Sequence, residues 1–368
     1  MTPDDTKTLM TQIAYHGIFA DAFFASRMIP AMGAPEYGGY IPLLLSPWWS
    51  LYIHEARPII QSRVPELDVT MSSEAEHTFA HARHGTKMFL DTKRSISEYE
   101  DYFANVASIQ VRLFARQTLR PLQRLTTDLG LIKYRDRVII STHGTTFSMN
   151  IDPSEVLDPE LGAKLKDLWT EAGAFFGVVL QGEAGPVPAI VNDWKADSFS
   201  HQDVRSEKYY TTIFNGSDSP HLNAVLLHFT AMINSVDLLF PLTTDLKIDT
   251  YVLFKIRYIL TYHILESLKK LSSEMRSLSP ASDGHLSFLV DGAPLVPSMQ
   301  NAWLRNLLVH YIPSKRADLA LYQPEDLLQS AVAMTANANF SALVKETNEL
   351  LAHLVTGLNL WMTAPKSR

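Results

Sequence analysis

Apolar residues recur at three- and four-residue steps through most of this chain, the spacing that places them on one face of a helix. Leu9, Ile13, Ile18, Phe19, Phe23, Phe24 and Met28 predict a helix over 6–30, stopped by Pro30. Met32 to Pro47 is rich in Gly and Pro and reads as a loop, after which Trp48-Trp49-Ser50-Leu51-Tyr52-Ile53 opens a second helix running into His54-Glu55. The paired tryptophans read first as core and second as a stacking surface. Further helices are expected from Ser72 to about Asp91 and over 95–126, the latter on Tyr99, Tyr102, Phe103, Val106, Ile109, Leu113 and Phe114.

The period changes near residue 130. Arg137-Val138-Ile139-Ile140-Ser141 is a β-branched run suited to a strand, and Thr145 to Met149 continues as a second strand or hairpin. Helical spacing returns from Asp158 to Phe176, followed by a mixed connector over 177–219. Helices are then expected around Leu222 to Val236, from Tyr251 to about Leu271, over 301–312 and from Asn339 to Trp361, with a polar connection from Ser279 to Pro297. The fold class is therefore mainly α, in three parts: an N-terminal helical region at 1–130, a small β-containing insertion at 131–219, and a helical bundle at 220–368 in which the 301–312 helix is third of four.

The 368 residues hold no cysteine, which removes disulfides, thiolate nucleophiles and Cys-ligated metals, so any metal would sit on His, Asp or Glu. A formal net charge of −7 argues against broad electrostatic attachment to nucleic acid and leaves room for a local basic surface. No apolar run reaches the length a bilayer needs, and Met1-Thr2-Pro3-Asp4-Asp5 is acidic where a signal peptide is basic, so no membrane partner and a cytoplasmic location are expected. Phosphate-loop, dinucleotide-fingerprint, nucleophile-elbow and kinase patterns are missing from the sequence.

The most concentrated chemistry lies on the 301–312 helix. Trp303, Leu304, Leu307, Leu308 and Tyr311 form its apolar side, Pro313 ends it, and Arg305, Asn306 and His310 are polar groups suited to phosphate and proton chemistry. Asn306 and His310, four apart, share a face, and Arg305 is turned away from it by about 100°. Arg-Asn, three residues and then His, on a late helix preceded by a long one, resembles the HEPN superfamily motif. The resemblance covers about the C-terminal third. It implies a HEPN-like helical bundle that forms a homodimer through the motif helices and, in active members, a ribonuclease that needs no metal. On that reading the 2′-hydroxyl of RNA is the nucleophile, and His310 moves protons as histidine can near neutral pH. Arg305 stabilises the developing phosphorane charge, Asn306 orients His310 or holds a phosphate oxygen, and a second copy supplies the second histidine. Tyr311 and His263 are expected in neighbouring substrate-binding roles.

Two other groups compete for attention. Glu74, His77, His81 and His84 fall at steps of three, four and three, one stripe of a helix that could hold a divalent transition metal. His54-Glu55 could add ligands to it, although the second Glu-x-x-His pair of di-metal bundles is lacking. Arg112, Arg116, Arg120 and Arg124 recur every fourth residue as a slowly winding basic stripe, a guide for a nucleic-acid backbone or simply a solvated face. The expected function is thus an endoribonuclease without cofactor acting on RNA. A catalytically silent HEPN-like dimeric module and a His/Glu metal enzyme are the alternatives.

Overall fold

The computed structural model describes residues 3–87, 90, 95–116, 119, 123, 126–182, 185–216, 218–242, 246–274, 278–294, 302–336 and 339–365. The protein is mainly α-helical. Its N-terminal helices are α1 (Pro3–Met28), α2 (Tyr40–Arg63), α3 (Ser73–Ala82), α4 (His84–Lys87) and α5 (Ile96–Arg116). Then come β1 (Leu129–Tyr134), β2 (Arg137–Ser141), α6 (Thr142–Ser148), α7 (Leu161–Leu180), β3 (Phe199–Val204) and α8 (Ser206–Tyr210). The remainder is α9 (Pro220–Leu239), α10 (Lys247–Glu274), α11 (Pro280–Asp291), α12 (Ala302–His310), α13 (Leu327–Ala336) and α14 (Phe340–Thr363).

Helix α10 is the hub. It is buried on nearly all sides and packs against α1, α9, α11, α12, α13 and α14. An all-round buried helix shows little amphipathic contrast, and α10 accordingly mixes apolar residues with polar groups that must find partners inside. Arg257 donates to the carbonyl oxygens of Val236 and Phe240 and, at 2.9 Å, to Asn348 Oδ1. His263 Nδ1 lies 2.5 Å from the carbonyl oxygen of Thr86 and so ties α4 to the hub. A continuous core joins the faces of α1, α2, α7, α9, α10, α12 and α14, and both Trp48 and Trp49 are buried in it. Among the described residues α9 is the helix long and apolar enough to cross a membrane, and 83% of its apolar window is buried inside the protein.

The strands form one antiparallel sheet in the order β2-β1-β3, with β2 lying on α9. A tight hairpin joins β1 to β2, and its corner residues Arg135 and Asp136 take left-handed backbone angles, φ 49° and 63°.

Several expectations from the sequence need correcting. Thr145 to Met149 is not a strand: Ser141 caps a short helix there, its Oγ accepting from Gly144 N, and the partner of β2 is β1. The segment 279–297 is not merely a polar connection, because Ser279 caps α11 at Ser282 N and Pro280 opens it at the position where a missing N–H costs nothing. With α11 and α13 added, the motif helix is, among the described residues, the fourth of six from residue 220 on, not the third of four. Helix α2 starts seven residues before Pro47 and carries it in its interior. The predicted 72–91 helix breaks after Ala82, so His84 opens a separate short helix.

Candidate functional site

Helices α2 and α10 pack against the motif helix α12, and both also pack against α4, which brings α4 close to the motif. Helix α12 buries Leu304, Leu307, Leu308 and Val309 and leaves Arg305, Asn306 and His310 partly exposed. The His310 side chain is 45% exposed, and its Nδ1 lies 2.7 Å from Glu55 Oε2, a carboxylate that is only 16% exposed. Arg83 Nη1 stands 3.9 Å from the other oxygen of the same carboxylate. Burial alone would raise the Glu55 pKa, but the hydrogen bond from His310 and the nearby His54 and Arg83 outweigh it and hold the carboxyl below its ordinary value. Glu55 is thus kept ionised as the acceptor for the imidazole.

On the other side of α12, Arg305 points at α10. Its guanidinium lies 5.5 Å from the centroid of the Tyr262 ring, and its Nη1 donates to Asn306 Oδ1 at 2.9 Å. Its Nε is buried without a hydrogen-bond partner. Lys87 depresses the pKa of both His54 and His263, behind the larger effect of burial in each, so α4 adds a positive charge within electrostatic reach of both sides. Glu55 is thus ringed by His310, His54 and Arg83, while Arg305 lies on the α10 side of the same helix and Lys87 acts on histidines of both sides.

Such an arrangement has definite chemical capabilities. Glu55 holds His310 through Nδ1, which fixes the ring's orientation and leaves Nε2 as the second proton-transfer position. The Arg83 guanidinium beside Glu55 and the partly exposed Arg305 on the α10 side supply the kind of charge that suits a phosphate. Asn306 engages Arg305, and the bond that orients His310 comes from Glu55.

Other residues singled out from sequence sit elsewhere. Tyr311 is buried: at φ +60° it turns its hydroxyl inward, 2.5 Å from Asp21 Oδ2 and 3.1 Å from Lys255 Nζ, so it is a core anchor and not a substrate contact. His263 is likewise buried, and desolvation lowers its pKa to about 3, which keeps it neutral against the Thr86 carbonyl and away from substrate. Arg112 is exposed and folds back on its own helix, donating to the carbonyl oxygen and hydroxyl of Ser108. Arg116 is exposed one turn later on α5, whose packing partners include α9 and α6. Arg120 and Arg124 lie outside the described residues. The His77 and His81 rings are 4.3 Å apart and those of His81 and His84 6.4 Å. Glu74 lines a separate cleft of about 190 Å³ with Glu155, Lys164 and Glu171, and among the described residues no group of three or more His, Asp or Glu is arranged to hold a metal ion.

The sequence pattern overlooked Glu55 as the partner of His310, although His54-Glu55 stood out as metal-ligand types. Arg83, Lys87 and Tyr262 gave no signal, because their relevance depends on helices far apart in sequence meeting. No protein-family model, curated protein or solved structure matches this chain, so the site stands on its own geometry.

Proposed function

We propose that this chain is a metal-independent endoribonuclease of the HEPN type, working at the α12 surface beside Glu55. The observation that carries the reading is the 2.7 Å contact between Glu55 and a half-exposed His310, with the Arg83 guanidinium at the other oxygen of the same carboxylate. In the proposed reaction, His310 Nε2 takes the proton of the ribose 2′-hydroxyl as that oxygen attacks phosphorus. The bond from phosphorus to the 5′-oxygen breaks, that oxygen receives a proton, and the products are a 2′,3′-cyclic phosphate and a 5′-hydroxyl. Glu55 stabilises the imidazolium that forms. Arg305 and Lys87 supply positive charge for the phosphorane oxygens. A homodimer through the motif helices would bring a second histidine to serve as the acid while the first serves as the base.

A second reading, a catalytically silent HEPN-like dimeric module, is favoured by one feature: Arg305 is laid on Tyr262 and held by Asn306, as a packing residue would be. Cleavage of varied RNAs in EDTA separates the two. Wild-type protein should give cyclic-phosphate ends, and His310→Ala and Arg305→Ala should each lose about 100-fold or more in rate. No cleavage by the wild type would favour the silent module. Activity only with added metal would redirect attention to Glu74, His77, His81 and His84.

A further inference from the structure

Trp303, Asn306 and His310 stand at steps of three and four on α12 and so occupy one stripe of it, with Trp303 only partly buried. The turn that follows the helix is basic: Lys315 and Arg316 are exposed, and the Arg316 guanidinium lies 5.4 Å from the centroid of the Trp303 ring. The acidic residue of that turn, Asp318, caps the next short turn by accepting from Ala320 N. One helix stripe therefore carries a partly exposed indole with a guanidinium beside it at its start and a proton-transfer group at its end. Seven residues of helix separate Trp303 from His310, about 10 Å along the axis. That is about three stacked nucleotide steps of 3.4 Å, and fewer in a strand that is drawn out.

We infer that the Trp303 and Arg316 pair is a nucleobase-stacking site for single-stranded RNA, holding a base a short distance along the strand from the phosphate at His310. The inference rests on the ribonuclease reading and adds a substrate class to it. A base offers its flat face to an indole only when it is not stacked in a duplex, and ring and guanidinium stacking accepts any base, so the site selects strandedness and not sequence. Arg316 and Lys315 add phosphate contacts on a chain whose overall charge of −7 gives nucleic acid no general attraction, which makes local charge decisive.

The test measures binding of a fluorescent single-stranded RNA and of its duplex to the cleavage-disabled His310→Ala protein and to the same protein carrying Trp303→Ala, Trp303→Phe or Arg316→Ala. Trp303→Ala should weaken single-strand binding about 10-fold or more, with Trp303→Phe retaining most of it because a ring remains. Arg316→Ala should also weaken binding and reduce its salt dependence by about one phosphate contact. Duplex affinity should be indifferent to Trp303, and melting curves of each variant should match the parent. Equal single-strand binding by folded Trp303→Ala and parent overturns the stacking site even where the wild type cleaves RNA. A wild type that neither binds nor cleaves RNA overturns the ribonuclease reading, and this inference with it.

Discussion

At the residue scale the proposed mechanism turns on Glu55, which no motif includes. Its carboxylate is held between His310 and Arg83. Glu55→Gln keeps the shape and removes the charge that steadies a protonated imidazole, so RNA cleavage should fall about 10- to 100-fold while the melting temperature changes little. Unchanged turnover would take Glu55 out of the mechanism. A second residue-scale prediction concerns Gly17. A β-carbon there would lie 3.0 Å from Tyr311 Cδ1 and 3.2 Å from the Tyr251 hydroxyl, tighter than ordinary contact. Gly17→Ala should cost about 1–3 kcal/mol in chemical denaturation, because two packed rings must shift.

At the scale of elements, α12 is held by its end as much as by its face. Tyr311 follows His310 directly, and its hydroxyl meets Asp21 from α1 and Lys255 from α10 in a buried knot. Burial pulls the Lys255 ammonium below its ordinary pKa, and Asp21 opposes that shift. Removing one member strands the other in the core. Lys255→Met or Asp21→Asn should each destabilise the fold by about 3–5 kcal/mol in urea titration, and the double replacement Asp21→Leu with Lys255→Met should recover much of the loss. A double variant no more stable than the singles would show that the knot is not the source of the loss.

Elements also show what the sequence could reveal. Helix α12 was legible because Leu304, Leu307 and Leu308 keep strict helical spacing and Pro313 marks the end. Helix α6 was not, since Thr145, Thr146 and Phe147 favour strands and the deciding signal is a single capping bond from Ser141. For α11 the signal was present in Ser279-Pro280 and was hidden by the polar run after it. Strand β3 shows no alternation, being exposed at Ser200 through Asp203, so only its pairing with β1 defines it. At the site, Arg305, Asn306 and His310 could be read from spacing alone. Glu55, Arg83 and Lys87 could not, because they arrive from α2, from the α3–α4 boundary and from the end of α4, more than two hundred residues away in sequence.

The whole molecule carries a buried set of neutral histidines. Desolvation lowers His143 and His228 from the ordinary 6.5 to about 4, and His263 to about 3. These groups bind protons in the unfolded chain below pH 6.5 but not in the folded protein until the pH is much lower. Stability is therefore fully present above 6.5 and is lost as pH falls toward 4, by about 1.4 kcal/mol per unit for each such group. Urea midpoints measured from pH 7 to pH 4 should show this slope, and His228→Leu should flatten it by one group's share. An unchanged slope in that variant would mean that His228 does not titrate as its burial requires.

The left-handed turn at Tyr311 has a further consequence for how damage to this protein would be inherited. The half-exposed His310 is joined by a single peptide link to a side chain fastened to the first helix. On the proposed ribonuclease reading, a selection for inactive chains that stay soluble should recover changes at Gly17 and Asp21 as well as at His310. On a genetic map such lesions would be scattered across nearly three hundred codons, yet in the folded chain they meet at one turn.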